Sequence, residues 1–111
     1  MEQSNQLKKY ELMVIVDAHM SQDDKNAIVK DVCDTVTKAQ GSIVNTQVWF
    51  EKQKLSFEIK KKTEGTYYLI NFEAPKAAGA SIRGELRLKE TLLRYLILEV
   101  EAFASKEVVP A

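Results

Sequence analysis

Residues 42–74 of this chain, SIVNTQVWFEKQKLSFEIKKKTEGTYYLINFEA, read as two consecutive strands with no helix between them. The first, Ser42 to Lys62, carries Val44, Val48 and Phe50 on one parity and Leu55, Phe57 and Ile59 on the other. Both sets cannot face one core in a straight strand, so a bulge or kink is expected between Glu51 and Lys54. A turn is expected from Lys61 to Gly65. The chain then returns from Gly65 to Ala74, with Tyr68, Ile70, Phe72 and Ala74 on one face and Tyr67, Leu69, Asn71 and Glu73 on the other.

Upstream, Lys9 to Val16 (KYELMVIV) is β-rich and apolar on both parities, as a central strand would be. Ser21 followed by Asp23 and Asp24 is a helix N-terminal signal, because the serine hydroxyl caps a free N–H and the acids complement the helix dipole. A first helix therefore starts near Gln22. Ile28, Val32, Val36 and Ala39, with Val29 and Cys33 beside them, form its apolar stripe, and Gly41 is read as its stop.

Downstream, Pro75 suits the first turn of a second helix, along which Ala78, Ile82 and Leu86 recur at four-residue steps. Gly79 and Gly84 each weaken it by about 1 kcal/mol, so it must be held by packing. Leu92 to Val100 (LLRYLILEV) closes the pattern as a strand apolar on both faces. The order βαββαβ predicts an α+β, ferredoxin-like fold: a four-stranded antiparallel sheet with two helices on one face. If Leu12, Val14, Tyr68, Ile70 and Phe72 lie under the helices, then Met13, Ile15, Tyr67, Leu69 and Asn71 point to the open face. Several of these are too apolar for plain solvation, which favours a partner surface.

The chain of 111 residues fits one domain, expected over 9–100 between an N-terminal tail (1–8) and a C-terminal tail (101–111). No apolar run approaches the roughly 20 residues that cross a bilayer. The single cysteine, Cys33, has no disulfide partner, and a cytoplasmic location follows as the default. The net charge is zero, so the chain lacks the basic excess of many nucleic-acid binders. The charge is nevertheless segregated: Lys52 to Lys62 holds five lysines and one acid, Glu58, while Asp23, Asp24, Asp31 and Asp34 gather upstream. A basic patch on a neutral protein is thus expected.

Catalysis finds little support. One histidine and one cysteine make no nucleophile–base–orienter grouping, and one of each is too few for a zinc site. His19, in the loop after the first strand, reads as a surface residue. Gly41, Gly65, Gly79 and Gly84 are scattered, in neither GxGxxG nor GxxxxGK spacing, so no nucleotide cofactor is expected. Glu85 and Glu90 beside Arg87, Lys89 and Arg94 read first as helix-face ion pairing; the more specific reading leaves arginines free for phosphate. From Trp49 to Phe72, lysines interleave with aromatics, a pattern that meets phosphate charge while offering rings for stacking or packing. Phe57, Tyr68, Ile70 and Phe72 are assigned to the core, which leaves the Lys52–Lys54 bend and the Tyr67–Leu69 row for function.

Taken in order, Tyr10-Glu11, Gly41, Leu55-Ser-Phe-Glu-Ile59, Gly65 with Tyr67, Glu73-Ala-Pro75, Glu85-Leu-Arg87 and Leu93-Arg94 resemble the family of the sixth protein of the bacterial small ribosomal subunit. The similarity extends from Lys9 to Val100. It implies a ferredoxin-like, non-enzymatic ribosomal protein that binds the central region of small-subunit ribosomal RNA together with small-subunit ribosomal protein eighteen. RNA-contacting positions implied or supported by charge are Lys9, Lys52, Lys54, Arg87 and Arg94; the partner-facing positions are Phe50, Tyr67 and Leu69, with the tail beyond Glu101. Glu51 stands where the family commonly has glycine, and Gln53 where it has arginine, which removes one charge from the phosphate-facing bend. The rival reading is a ferredoxin-like regulatory domain that homodimerises through its open face and binds a small metabolite.

Overall fold

The computed structural model describes residues 7–102 and contains β1 (Leu7–Asp17), α1 (Gln22–Lys38), β2 (Ser42–Ile59), β3 (Lys62–Pro75), α2 (Ala78–Arg87) and β4 (Arg94–Val100). The strands form one antiparallel sheet in the order β2-β3-β1-β4, the expected ferredoxin-like arrangement. Leu7 and Lys8, expected in the tail, belong to β1. Leu92 and Leu93 precede β4, and Leu92 is buried in the loop instead. Pro75 ends β3 and does not open α2, which begins at Ala78 with no side-chain cap.

Cross-strand partners share a face, so the register sorts the side chains. On the covered face, Tyr10, Leu12, Val14 and Val16 of β1 join Tyr68, Ile70 and Phe72 of β3, and Ile28, Val32 and Val36 of α1 and Ile82 and Leu86 of α2 close over them. Tyr10 stacks on its partner Phe72 at 5.2 Å between ring centroids, which adds about 0.5–1.5 kcal/mol to the area buried. Burial, with the Glu99 carboxylate adding and Arg83 opposing, pushes the Tyr10 hydroxyl above its ordinary pKa.

Ser21 Oγ accepts from Asp24 N–H at 3.1 Å, as the capping signal predicted. At the other end it is Gln40, not Gly41, that takes the left-handed conformation, with φ 74°. Gln40 N–H donates to Thr37 O and Gly41 N–H to Val36 O, so the last helical carbonyls are met by a Schellman-type closure. Gly41 is required by contact: a Cβ there would stand 2.5 Å from Val36 Cγ1 and 2.9 Å from Val36 O.

β2 is an edge strand longer than the partner it follows. Register shifts between Ile43 and Asn45, Val48 and Phe50, Phe50 and Gln53, and Lys54 and Ile59 insert extra residues on β2. The expected bend near Glu51–Lys54 is therefore present, with two bulges before it. These separate residues that alternation would group: Val48 pairs with Tyr68 of the covered face, whereas Phe50 pairs with Tyr67 of the open face. The Thr66 hydroxyl donates to Glu51 O at 2.7 Å, supplying a bond beside a bulge where the ladder is interrupted.

Beyond the sheet, the β2–β3 hairpin continues as an arm whose tip is the two-residue turn Lys60–Lys61, shorter than the expected Lys61–Gly65 turn. Both residues have positive φ, 52° and 67°, as in the hairpin turn that glycine and asparagine favour. Left-handed backbone costs a non-glycine residue about 1–2 kcal/mol, of which glycine's greater freedom in the unfolded chain takes back part. Lys61→Gly should accordingly raise stability by about 1 kcal/mol. Thermal denaturation would register this as a higher midpoint, and an unchanged or lower midpoint would mean that the turn is not strained as described.

Candidate nucleic-acid interface

Charge anchors the returning strand of the arm to the end of β1. Asp17, at the end of β1, accepts a hydrogen bond from His19 N–H at 3.0 Å and pairs with Lys62 at 3.2 Å. Glu64 meets His19 Nε2 at 2.9 Å and Lys52 Nζ at 3.7 Å. His19 thus lies on the surface as expected, joined to the arm. Midway along, Leu55 is buried against the open face, and a Cβ on Gly65 would meet Ile15 Cγ2 at 2.5 Å and Leu55 Cδ2 at 3.5 Å. Leu55, Phe57 and Ile59 roof a cleft of about 550 Å³ over Ile15, Tyr67 and Leu96.

Phe57, assigned to the core by alternation, is 66% exposed. The arm curls over the open face, where this ring lines the cleft with Met13 and Ile15 instead of meeting the helices, and Arg94 Cζ approaches it to 5.9 Å from the centroid. At the tip, Lys60 Nζ donates to the backbone carbonyls of Glu90 and Leu92, both at 3.1 Å. These two bonds tie the hairpin to the loop between α2 and β4, far from it in sequence.

The basic candidates fall into three places. Lys52 and Lys54 are exposed on the arm; Lys52 is shared with Glu64, and Lys54 has no ion-pair partner among the described residues. Arg87, in the last turn of α2, and Arg94, opening β4, line one cleft with Lys60 and Lys89. Lys9 is separate: it pairs with Glu73 at 3.9 Å near the opposite end of β1, roughly 20 Å from Ile15 at about 3.3 Å per residue. Lys89 reaches Asp31 of α1 at 2.7 Å, in place of the expected pairing with Glu85 or Glu90. Sequence reasoning named Lys89 only for ion pairing and did not single out Lys60, although the run Lys60-Lys61-Lys62 at a turn was a usable signal.

On the open face the rows are Phe50–Tyr67–Ile15–Arg94, Gln47–Leu69–Met13–Leu96 and Asn45–Asn71–Glu11–Leu98. Phe50 and Tyr67 pack edge to face at 5.4 Å and are both half-buried. Leu69 lies on the predicted face but is only 4% exposed, so it has almost no surface to offer. Exposed apolar area there belongs to Leu96 and Leu98 of β4, each 49% exposed, which share Arg94's parity. Asn71 donates to Asn45 Oδ1 at 3.0 Å while its own buried Oδ1 has no partner among the described residues. The expected contribution of the tail beyond Glu101 falls outside the described residues from 103 onward.

Among the described residues no group of three or more His, Cys, Asp or Glu could hold a metal ion, and no helix is long and apolar enough to cross a membrane. Burial, with Asp34 adding and Lys30 opposing, pushes the Cys33 thiol up. What the surface offers is fixed positive charge on a stiff arm and at the α2–β4 corner, beside a partly apolar sheet face.

The Asp17 network has a pH signature. The His19 N–H bond, opposed by partial burial and reinforced by Lys62, holds the Asp17 carboxyl below its ordinary pKa of 3.8. A depressed folded-state pKa gives stability that is fully present above about pH 3.8 and lost as pH falls through the folded value. Asp17→Asn should therefore lower the urea midpoint at pH 7, and the gap from the parent should close below pH 3.8. A gap independent of pH would show that the charge on Asp17 does not stabilise the arm.

The family whose description is Ribosomal protein S6 matches residues 9–99. Small ribosomal subunit protein bS6 of Micrococcus luteus is 35% identical over 95 residues, covering 86% of this chain and 93% of that protein. The bS6 protein of Campylobacter jejuni is 34% identical, covering 86% and 75%. The crystal structure of 30S ribosomal protein S6 from Thermotoga maritima superposes with a TM-score of 0.77 at 21% identity, over 86% of this chain and 89% of that one. The P2 domain of the chemotaxis kinase CheA from the same organism also superposes, with a TM-score of 0.55 at 15% identity, over 86% and 100%. At such identities a superposition speaks for the fold alone. Sequence similarity along nearly the whole sheet and both helices is what decides the family: this chain belongs to the ribosomal protein S6 family.

Proposed function

We propose that the protein is a structural, non-enzymatic component of the bacterial small ribosomal subunit, in the cytoplasm, where it binds the central region of small-subunit ribosomal RNA together with small-subunit ribosomal protein eighteen. The observation that carries this reading is the family match over residues 9–99, with relatives that are themselves small-subunit proteins. The exposed charge supports it. Lys52 and Lys54 on the arm, and Arg87 and Arg94 at the α2–β4 corner, form the RNA side; Lys9, at the far end of β1, is a separate and weaker contact because Glu73 partly neutralises it. Phosphate contacts of this kind position a protein on RNA, and affinity is spread over several of them.

The partner side is the open face: Phe50 and Tyr67, with the buried Leu69 in the neighbouring cross-strand row and Leu96 and Leu98 supplying the exposed apolar area. β4 is a sheet edge, and an apolar edge left uncovered invites association.

Reversing Lys52 and Lys54 to Glu should weaken binding to small-subunit RNA and flatten its dependence on salt by a slope of about 1.4–1.8, since each lost phosphate contact removes about 0.7–0.9. An unchanged slope in a filter-binding or fluorescence titration would take both lysines out of the interface. For the partner side, amide exchange of residues 50, 67, 96 and 98 should slow when protein eighteen and RNA are present. Equal exchange with and without them would refute the assignment of that face. Retention on small subunits through a high-salt wash tests the reading as a whole, whereas a stable homodimer without RNA affinity would favour the regulatory-domain alternative.

A further inference from the structure

The two edges of the sheet are built differently. β2 carries features that keep an edge strand from pairing: register shifts interrupt its ladder at four places, and Lys52 and Lys54 stand exposed along it. β4, at the other edge, has none of them. Its seven residues, RYLILEV, include no proline, glycine or lysine, and they pair with β1 in an unbroken register from Lys9↔Val100 to Ile15↔Arg94. Among the described residues no strand lies on its outer side. Its outward backbone N–H and C=O groups therefore form a regular template for one more strand.

The residues of β4 say which strand fits. Side chains that pair across an antiparallel ladder share a face, so a second β4, related by a two-fold axis through Ile97, sets Leu96 against Leu98 of the other copy and Leu98 against its Leu96. These leucines are half-exposed on the open face, and the pairing joins all of them into one apolar patch. On the covered face the same register sets the Tyr95 ring against Glu99 of the other copy, a phenol opposite a carboxylate. Charge fixes the direction. The start of β4 is basic, with Arg94 beside the arm tip, whose Lys60 donates to the Leu92 carbonyl; the end is acidic, with Glu99 and Glu101. Antiparallel pairing lays the basic start of each copy beside the acidic end of the other, whereas parallel pairing would set like charges side by side.

We propose that β4 is a self-pairing edge: in the free protein it adds to β4 of a second copy, antiparallel and centred on Ile97, joining two four-stranded sheets into one across a two-fold axis. Seven residues from each copy are fewer than the roughly 20–30 a side of a stable complex, so the dimer is weak and reversible. In the ribosomal role proposed above, the same edge faces protein eighteen instead.

Sedimentation equilibrium of the full chain, carried to about 1 mM, should show reversible dimerisation. Leu96→Lys and Leu98→Glu, at exposed positions, should each keep the parent's circular dichroism and sediment as monomers, because a charge then faces a leucine in both cross-copy pairs. Mixing these two variants should restore the dimer, since the register sets the new ammonium of one directly opposite the new carboxylate of the other. A mixture of Leu96→Lys with Leu96→Glu should dimerise about tenfold more weakly, because those positions are only diagonal neighbours. Should a variant misfold, the parent alone gives a second reading: amide exchange within residues 94–100 should slow as concentration rises, and exchange independent of concentration overturns the pairing. A parent that stays monomeric overturns it too, as does a dimer that both single variants retain or that both mixtures restore equally. None of these outcomes bears on RNA affinity, so the ribosomal reading stands or falls by its own tests.

Discussion

Everything in this molecule depends on β1 being paired on both sides. Its backbone hydrogen-bonds to β3 along its length and to β4 over residues 9–15, and its alternate side chains Leu12, Val14 and Val16 are fully buried beneath the helices. Each such side chain contributes about 1.5–3 kcal/mol by leaving water, and each would leave a cavity if shortened. The second helix has no strong local reason to persist alone, in contrast to α1 with its Ser21 cap and first-turn acids. α2 contains two glycines and lacks a side-chain cap, so its stability comes from seating Ile82 and Leu86 against this sheet.

Covering one sheet face with two helices leaves the other to different solutions. Near the arm, Leu55 folds over Ile15; farther along, Asn71 and Asn45 bridge a bulge with their side chains. The cost is a buried carbonyl on Asn71 that lacks a donor among the described residues, a loss of about 1–3 kcal/mol in comparable sites. The extra residues on β2 have a geometric consequence. They bend the hairpin away from the sheet plane and bring its tip to the start of β4, at the opposite edge of the sheet, where Lys60 bonds to backbone carbonyls.

Much of this was legible in the residues. Period-two alternation in β1 and β3, the four-residue recurrence in both helices and the Ser21 cap were local signals, and local forces decide them. Phe57 shows where such signals fail. Its alternation with Leu55 and Ile59 was read correctly as strand, but alternation says only that a side chain has a face, and three bulges upstream had already changed what that face meets. Leu69 failed in the opposite direction: it is on the open face as read, yet its neighbours bury it. The site was legible as charge, in the lysine run of the arm, and illegible as grouping, because Arg87, Arg94 and Lys60 come from three different elements.

Sequence alone determined the order of elements, the faces of the core residues in β1, β3 and the two helices, and the family, since these follow from periodicity, capping and residue type along a continuous chain. Tertiary structure alone decided which charges stand together. Lys60 lies thirty residues from Glu90 and becomes its neighbour only through the bulges of β2 and the antiparallel closure of β3 on β1. Lys9, close to the other candidates in chemistry, is removed from them by the length of a strand. The physical reason is that charge is a property of a residue, whereas an electrostatic site is a property of distances, and distances are set by register.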